Sequence, residues 1–182
     1  LFIVVVGLAI SLFVAVVANQ KFPGFSVYLV LLIWQYALSI NIDGMIWGLM
    51  MNPSFGLGAV MLKELTGLTF NYLNNGTQAL LFLSMAATWK MLGYNIVFFL
   101  AGLQSLPTEL LEAASLDGAG SWTRFWKITF SLLSPTTFFL GILTVIGTFK
   151  AFNHIFVMTQ GGPGVATTTA SIFIFKQLFE YN

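Results

Sequence analysis

Residues 1–18 read LFIVVVGLAISLFVAVVA, and no charged side chain interrupts them. A helix that is apolar on every face belongs in lipid or in the centre of a large core. The length fits the first case, because about 20 apolar residues at a rise of about 1.5 Å each cross a hydrocarbon layer about 30 Å thick. The stretch begins without Met and without the basic segment of a signal peptide, so the expectation is a chain that starts inside a helix. The rest of the sequence repeats the pattern: of 182 residues 58% are hydrophobic and 7% charged, with a mean hydropathy of +0.90. Soluble chains carry charge on about a quarter of their residues, so this inventory cannot build a water-facing surface. The class is an all-α integral membrane protein, a polytopic helical bundle. An outer-membrane barrel is disfavoured, since it needs alternating segments of about ten residues.

Composition excludes several functions. A net charge of +1 supplies no broad basic surface for nucleic acid. With no cysteine and one histidine, His154, disulfides, thiolate sites and multi-histidine metal centres are all disfavoured, and no metal site is expected.

Working outward from residue 18, the polar corner Asn19-Gln20-Lys21 and Pro23-Gly24 leads into a second apolar run, read as one long helix over 25–51 with the carboxylate of Asp43 inside it. Residues 52–76, NPSFGLGAVMLKELTGLTFNYLNNG, are rich in Gly and Asn and suit an aqueous connection. Within them Leu57 to Leu68 predicts a short amphipathic helix on the membrane surface. A third span is expected over 77–103 and a fourth over 133–158, interrupted by Lys90 and Lys150. Gly161-Gly162-Pro163-Gly164 stops the fourth, and ASIFIFKQLF after Thr167-Thr168-Thr169 opens a further segment that the chain leaves unfinished.

The few charges are clustered. Glu109, Glu112, Asp117, Arg124 and Lys127 are five of the thirteen, and they mark 104–132 as the main water-facing element. Lys21, Arg124 and Lys127 fall on one side of the spans against Lys63 on the other. The positive-inside rule therefore makes 104–132 cytoplasmic and 52–76 external. PTELLEAASLDGAGSWTRFWKITFSLLSP, residues 107–135, reads as a helix, a turn at Gly118 and Gly120, and a second apolar helix with Ser121 as its N-cap. Such a hairpin suits docking onto a soluble partner. An ordinary loop with its charges facing water fits the same residues.

Glu112-Ala113-Ala114, then Gly118, then Ile128 resembles the EAA signature of permease subunits in bacterial ABC importers. NPSFG at 52–56, TWKMLGYN at 88–95, FFLAGLQSLPTELLEAASLDGA at 98–119, MTQGGPG at 158–164 and ATTT at 166–169 resemble, in order, the carbohydrate-type permeases of the maltose and glycerol-3-phosphate class. The resemblance implies a permease subunit in the cell inner membrane, importing a sugar or a polyol phosphate. Its partners would be a second, paralogous permease subunit, an ABC ATPase dimer and an extracytoplasmic solute-binding protein. ATP and Mg would be held by the ATPase, leaving this chain without a cofactor or catalytic residue. Glu112, Ala113, Ala114, Asp117 and Gly118 would form the coupling helix that meets the ATPase, and Gly161, Gly162, Pro163 and Gly164 an external gate or binding-protein contact. By the same comparison the chain is truncated at both ends, with about four spans. It departs from the family pattern at Gln35, Ile40 and Ser131, where prolines are usual, and at Asp43, where neighbours are small or apolar. The missing prolines predict a straighter second helix and a straighter start of the fourth.

Asp43, Lys90, Asn95 and Lys150 are the polar groups deepest in the expected spans, and ionisable residues there are candidates for the solute pathway. Snorkelling and structural pairing are the competing roles. Asp43 is expected to pair with Lys90 or Lys150, and Lys150 and His154, four residues apart, to share a helix face. The Trp residues are assigned to packing and interfacial belts. No GxxxxGK[ST] phosphate loop occurs, so ATP hydrolysis belongs to another chain. Two alternatives remain from the residues themselves. An ion-coupled secondary transporter would use intramembrane carboxylates, of which only Asp43 offers itself. A membrane-embedded enzyme lacks catalytic groups here.

Overall fold

A computed structural model describes residues 2–20 and 25–180. The corner that holds Lys21, whose charge entered the orientation count, lies outside the described residues, as do Leu1 and residues 181–182. The described chain is helical throughout: α1 (Phe2–Ala18), α2 (Phe25–Ala37), α3 (Ile40–Met50), α4 (Leu57–Thr66), α5 (Gly76–Gln104), α6 (Thr108–Leu116), α7 (Ser121–Arg124), a π-helical turn (Phe125–Thr129), α8 (Phe130–Leu132), α9 (Ser134–Phe149), α10 (Asn153–Met158) and α11 (Ala170–Phe179). It divides into two compact units, Leu1–Tyr36 with Met91–Thr144 and Ala37–Lys90 with Val145–Asn182.

In the first unit, Gly7, Ser11, Ala15 and Ala18 form the buried stripe of α1. Small residues at that spacing let helix backbones approach closely, which is how helices associate where lipid removes the hydrophobic drive. Ala15 and Ala18 pack with Phe99, Leu100 and Leu103 of α5 and with Leu133 and Leu140. Gly102 makes one close approach possible, because a Cβ there would stand 2.9 Å from Leu133 Cδ2. Outward-facing side chains remain apolar, with Phe13, Phe138 and Val5 well exposed, as lipid rather than water as solvent requires.

In the second unit the core gathers Met51, Tyr72, Ala79, Phe82, Leu83, Ala86, Ile155, Met158 and Ile172. Trp47 meets both Phe82 and Trp89 edge to face. The Tyr72 hydroxyl donates to the Gly48 carbonyl at 3.3 Å, and burial raises that phenol above its usual value of 10.0, so it stays a neutral donor. Buried hydroxyls inside helices find partners one turn back: Ser11 donates to Gly7 O at 2.7 Å, Thr88 to Ser84 O at 2.7 Å and Thr144 to Leu140 O at 2.8 Å. This self-satisfaction is what an apolar medium demands of polar atoms.

The structure differs from the sequence expectation at three places. The single helix over 25–51 is two, with a break at Leu38–Ser39. The Lys90 ammonium donates to the Leu38 carbonyl there, supplying the partner that the interrupted helix lacks. The expected fourth span is also two helices, since α9 ends at Phe149 and α10 begins at Asn153. The start of that span is not straight despite Ser131, for α8 and α9 meet at a bend of 61° around Leu133. Pro135 in the first turn of α9 has no N–H to give, which places the break just before it. Among the described residues, α5 alone is long and apolar enough for a complete crossing, or up to three segments if each pair of helices meeting at a bend is one span.

Candidate functional site

The hairpin at 104–132 is built on α6, whose nine residues include none that is buried. Pro107 precedes its first turn and Glu109 lies within it, where a carboxylate meets the positive end of the helix dipole. The other end is closed by Gly118, in the left-handed region at φ 78°. Its N–H donates to Ser115 O at 3.1 Å, and the N–H of Ala119 donates to Ala114 O at 2.9 Å. These are the two bonds of a Schellman cap, in which glycine takes the left-handed position at no steric cost. Glu112, Ala113, Asp117 and Gly118 are all exposed and Ala114 is half-buried. A Cβ at Gly118 would meet nothing within 4 Å, so the glycine serves backbone conformation rather than packing within this chain. Leu116 is 90% exposed and Trp122 74%. Ser121 is the first residue of α7, with Gly120 at the cap position and no side-chain cap bond. The expected Ser121 cap is therefore off by one residue.

The four intramembrane candidates part company. Asp43 pairs with neither Lys90 nor Lys150. Its Oδ2 lies 2.8 Å from Nε2 of His154, and both residues are buried, 3% and 5% exposed. The helix break at 150–152 explains the correction: it leaves Lys150 exposed while α10 turns His154 inward, so the two do not share a helix face. Lys90 is engaged at Leu38. Asn95 is 1% exposed, and neither atom of its side-chain amide has a hydrogen-bond partner. Nearly all buried polar atoms are satisfied, so the unpartnered amide of Asn95 in α5, like the buried Thr169 hydroxyl, is an exception to the self-satisfaction of the other buried polar groups.

The GGPG and ATTT motifs form one cross-braced loop. Gln160, Gly161 and Gly164 have positive φ, and the Gly162–Pro163 bond is cis. The Thr167 hydroxyl donates to Gly162 O at 2.7 Å and lies 2.8 Å from the Thr159 hydroxyl, while Thr168 donates to Gly161 O at 3.1 Å. Thr167 and Gly161 are buried, whereas residues 164–166 are exposed, Val165 at 82%. Sequence reasoning quoted these threonines as a motif without giving them this role, because a bond back to a glycine five residues earlier leaves no periodic trace. Thr167→Val is expected to loosen the loop by about 2 kcal/mol, seen as faster amide exchange over 159–169; unchanged exchange would show that the hydroxyl is dispensable.

The fold matches two solved structures. Likeness to "Crystal structure of a bacterial ABC transporter involved in the import of the acidic polysaccharide alginate" reaches a TM-score of 0.83 at 20% identity, covering 96% of this chain and 62% of that one. "Crystal structure of bacterial alginate ABC transporter in complex with alginate pentasaccharide-bound periplasmic protein" gives 0.84 at 20% identity, with 98% and 63% covered. Fold and exposed hairpin thus define a polytopic helical protein with the architecture of these structures. Residues 1–181 match the family described as "Binding-protein-dependent transport system inner membrane component". The sn-glycerol-3-phosphate transport system permease protein UgpA of Rhizobium meliloti (strain 1021) is 41% identical over 174 residues, 95% of this chain and 59% of that protein. Its counterpart in Yersinia enterocolitica is 38% identical over 175 residues, 96% and 59%. The chain belongs to this family of inner-membrane transport components, and it spans 59% of the length of these relatives.

Proposed function

We propose that the chain is part of the pathway-forming permease subunit of an ATP-driven importer for a sugar or polyol phosphate. The observation that carries this reading is α6, a capped helix with no buried residue held out from a family permease fold. A helix with no fully buried side chain is suited to a cleft in a second protein. In this reading α6 lies on the cytoplasmic side and engages a dimeric ATPase, which binds ATP and Mg and does the hydrolysis; this chain is not itself an enzyme. A second permease subunit completes the pathway and an extracytoplasmic binding protein delivers the solute. The two UgpA relatives support a phosphorylated polyol as cargo. The loop at 159–169 faces outward, with Gly164–Ala166 as its contact edge.

Rigid-body coupling works only through contacts that differ between two states. Glu112 supplies a polar anchor for such a contact, and Ala113 with Gly118 permits close approach. In the complete protein, Glu112→Lys is expected to lower ATP-driven uptake at least about tenfold, a loss of about 1.4 kcal/mol of coupling. Membrane insertion should be unchanged and co-purification of the ATPase lost. Uptake that persists without nucleotide and follows an ion gradient would overturn the reading.

A further inference from the structure

We propose that a groove in the first unit seats an anionic phospholipid, with an acyl chain along α1 and the phosphate at Arg124. The groove lies between α1 and the aromatic helix that follows the hairpin. It encloses about 690 Å³, within the range of about 300–1,000 Å³ for sites that hold a small ligand. α1 lines it with Leu8, Ala9, Leu12, Phe13 and Val16, residues whose spacing puts them on one helix face. The opposite wall is Trp122, Phe125, Trp126 and Phe130. These rings brace one another, with the Trp122 and Trp126 centroids 5.7 Å apart and those of Trp126 and Phe130 5.1 Å apart. The π-helical turn at Phe125–Thr129 falls in this wall, and such turns recur at functional sites. Apart from the indoles, only Ser121 and Thr137 bring polar side chains into the lining, and the Thr137 hydroxyl already donates to Leu133 O at 3.0 Å. A surface of this kind would strip a sugar of its hydrogen bonds, whereas an acyl chain enters it with none to lose.

Charge at one end selects among lipids. Ser121 opens the aromatic helix on the hairpin side, and Arg124 Nη2 donates to its Oγ at 3.4 Å, which brings the guanidinium to the rim of the groove. Lys127, three residues on, is exposed. No carboxylate lines the groove, and among the described residues neither cation pairs with one. A guanidinium carries five N–H donors in a fork that matches phosphate oxygens, and one bond to a serine hydroxyl leaves most of them for an outside anion. Trp122 and Trp126 stand where the chain passes from hairpin to apolar helix, the depth at which tryptophan collects in membranes. Basic side chains at that depth draw anionic headgroups, while a lipid of no net charge meets the groove by its chain alone. The proposal rests on the permease reading in one respect, that the hairpin leaves the membrane near Ser121.

The test is photo-crosslinking in phosphatidylcholine vesicles that hold the complete permease in its complex and a trace of lipid with a diazirine in its acyl chain. The probe is phosphatidylglycerol in one sample and phosphatidylcholine with the same chain in the other, and labelled peptides are mapped by mass spectrometry. Phosphatidylglycerol should label both walls, 8–16 and 122–130, about fivefold or more above phosphatidylcholine. Arg124→Gln with Lys127→Gln should bring the two lipids level, and Ala9→Trp, which fills the groove, should lower labelling by both. Equal labelling by the two lipids in the unaltered protein overturns the proposal, since the groove then holds ordinary boundary lipid. A preference that survives the loss of both cations overturns it as well. So does the absence of label from both walls, the result expected if other residues of the complete protein or a second permease subunit fill the groove. If the variants do not insert, the ratio of the two lipids in the unaltered protein decides. Labelling is read without uptake: a lipid site in a protein with no ATP-driven transport would sink the permease reading alone, and unlabelled walls in an active importer would sink the lipid site alone.

Discussion

His154→Leu is expected to destabilise the protein by about 3 kcal/mol, because it leaves the carboxyl of Asp43, in a site 3% exposed, without its hydrogen-bond partner. Leucine fills much of the volume of the imidazole, so lost packing is the minor part of the effect. The decisive comparison is the double variant Asp43→Leu/His154→Leu. Replacing both partners of a buried hydrogen bond by apolar groups is often nearly neutral, so the second substitution should recover most of the stability that the first removed. Thermal unfolding of the detergent-purified complete protein measures both. A single variant as stable as the double would mean that Asp43 finds another partner, and reversal at Lys90 or Lys150 would then be worth making. Neither reversal should rescue Asp43→Lys as the structure stands, because Asp43 is bonded to His154 and to neither lysine.

Gly56→Ala should be nearly as damaging, through backbone geometry instead of charge. A Cβ at this position would lie 2.4 Å from Asn52 N, 2.5 Å from Met50 O and 2.6 Å from Asn52 O. All three are main-chain atoms, so no rotamer change relieves the clash. The turn they belong to is itself braced, with Gly56 N–H donating to Asn52 O at 2.8 Å and Ser54 N–H to Asn52 Oδ1 at 2.9 Å. Moving the backbone apart would break that turn and displace both α3 and α4, at a cost of about 3 kcal/mol. Gly67→Ala is the natural control: it has φ 71° but nothing within 4 Å of a Cβ, so only conformational strain of about 1 kcal/mol applies. The yield of inserted protein should separate the two. Equal yields would show that the 52–56 turn yields more easily than its contacts imply.

Elements whose formation depends on local pattern were legible in the sequence. The apolar run at 77–103 is α5, Gly76–Gln104, and the amphipathic stretch from Leu57 is α4, ending at Thr66. The helix of the hairpin and the glycine that ends it follow from residue types alone, because capping is a property of a few neighbouring residues. What escaped was set by distant partners. The break after Ala37 is served by Lys90 more than fifty residues on, and the end of α9 by Ser171, whose hydroxyl donates to Phe149 O at 3.2 Å. Nothing near positions 38 or 149 announces either bond. The same limit explains Asp43: a carboxylate in an apolar run demands a partner, but the choice among Lys90, Lys150 and His154 depends on a break that turns one inward and leaves another in the open. The π-helical turn at Phe125–Thr129 sits among aromatic side chains packed on each other, Trp122, Phe125, Trp126 and Phe130, and no periodicity over so short a run distinguishes it from α-helix.

The loop at 159–169 keeps its shape and its outward identity on separate residues. Threonine hydroxyls and glycine carbonyls face one another inside it, while Gly164, Val165 and Ala166 touch the outside. Exchanging Val165 for a polar or bulkier residue therefore costs the scaffold little, whereas an exchange at Thr167 removes two of its internal hydrogen bonds. Position 165 can therefore be varied by single steps, each folding as well as the last, whereas Ala166, whose Cβ lies against Gly76, must stay small.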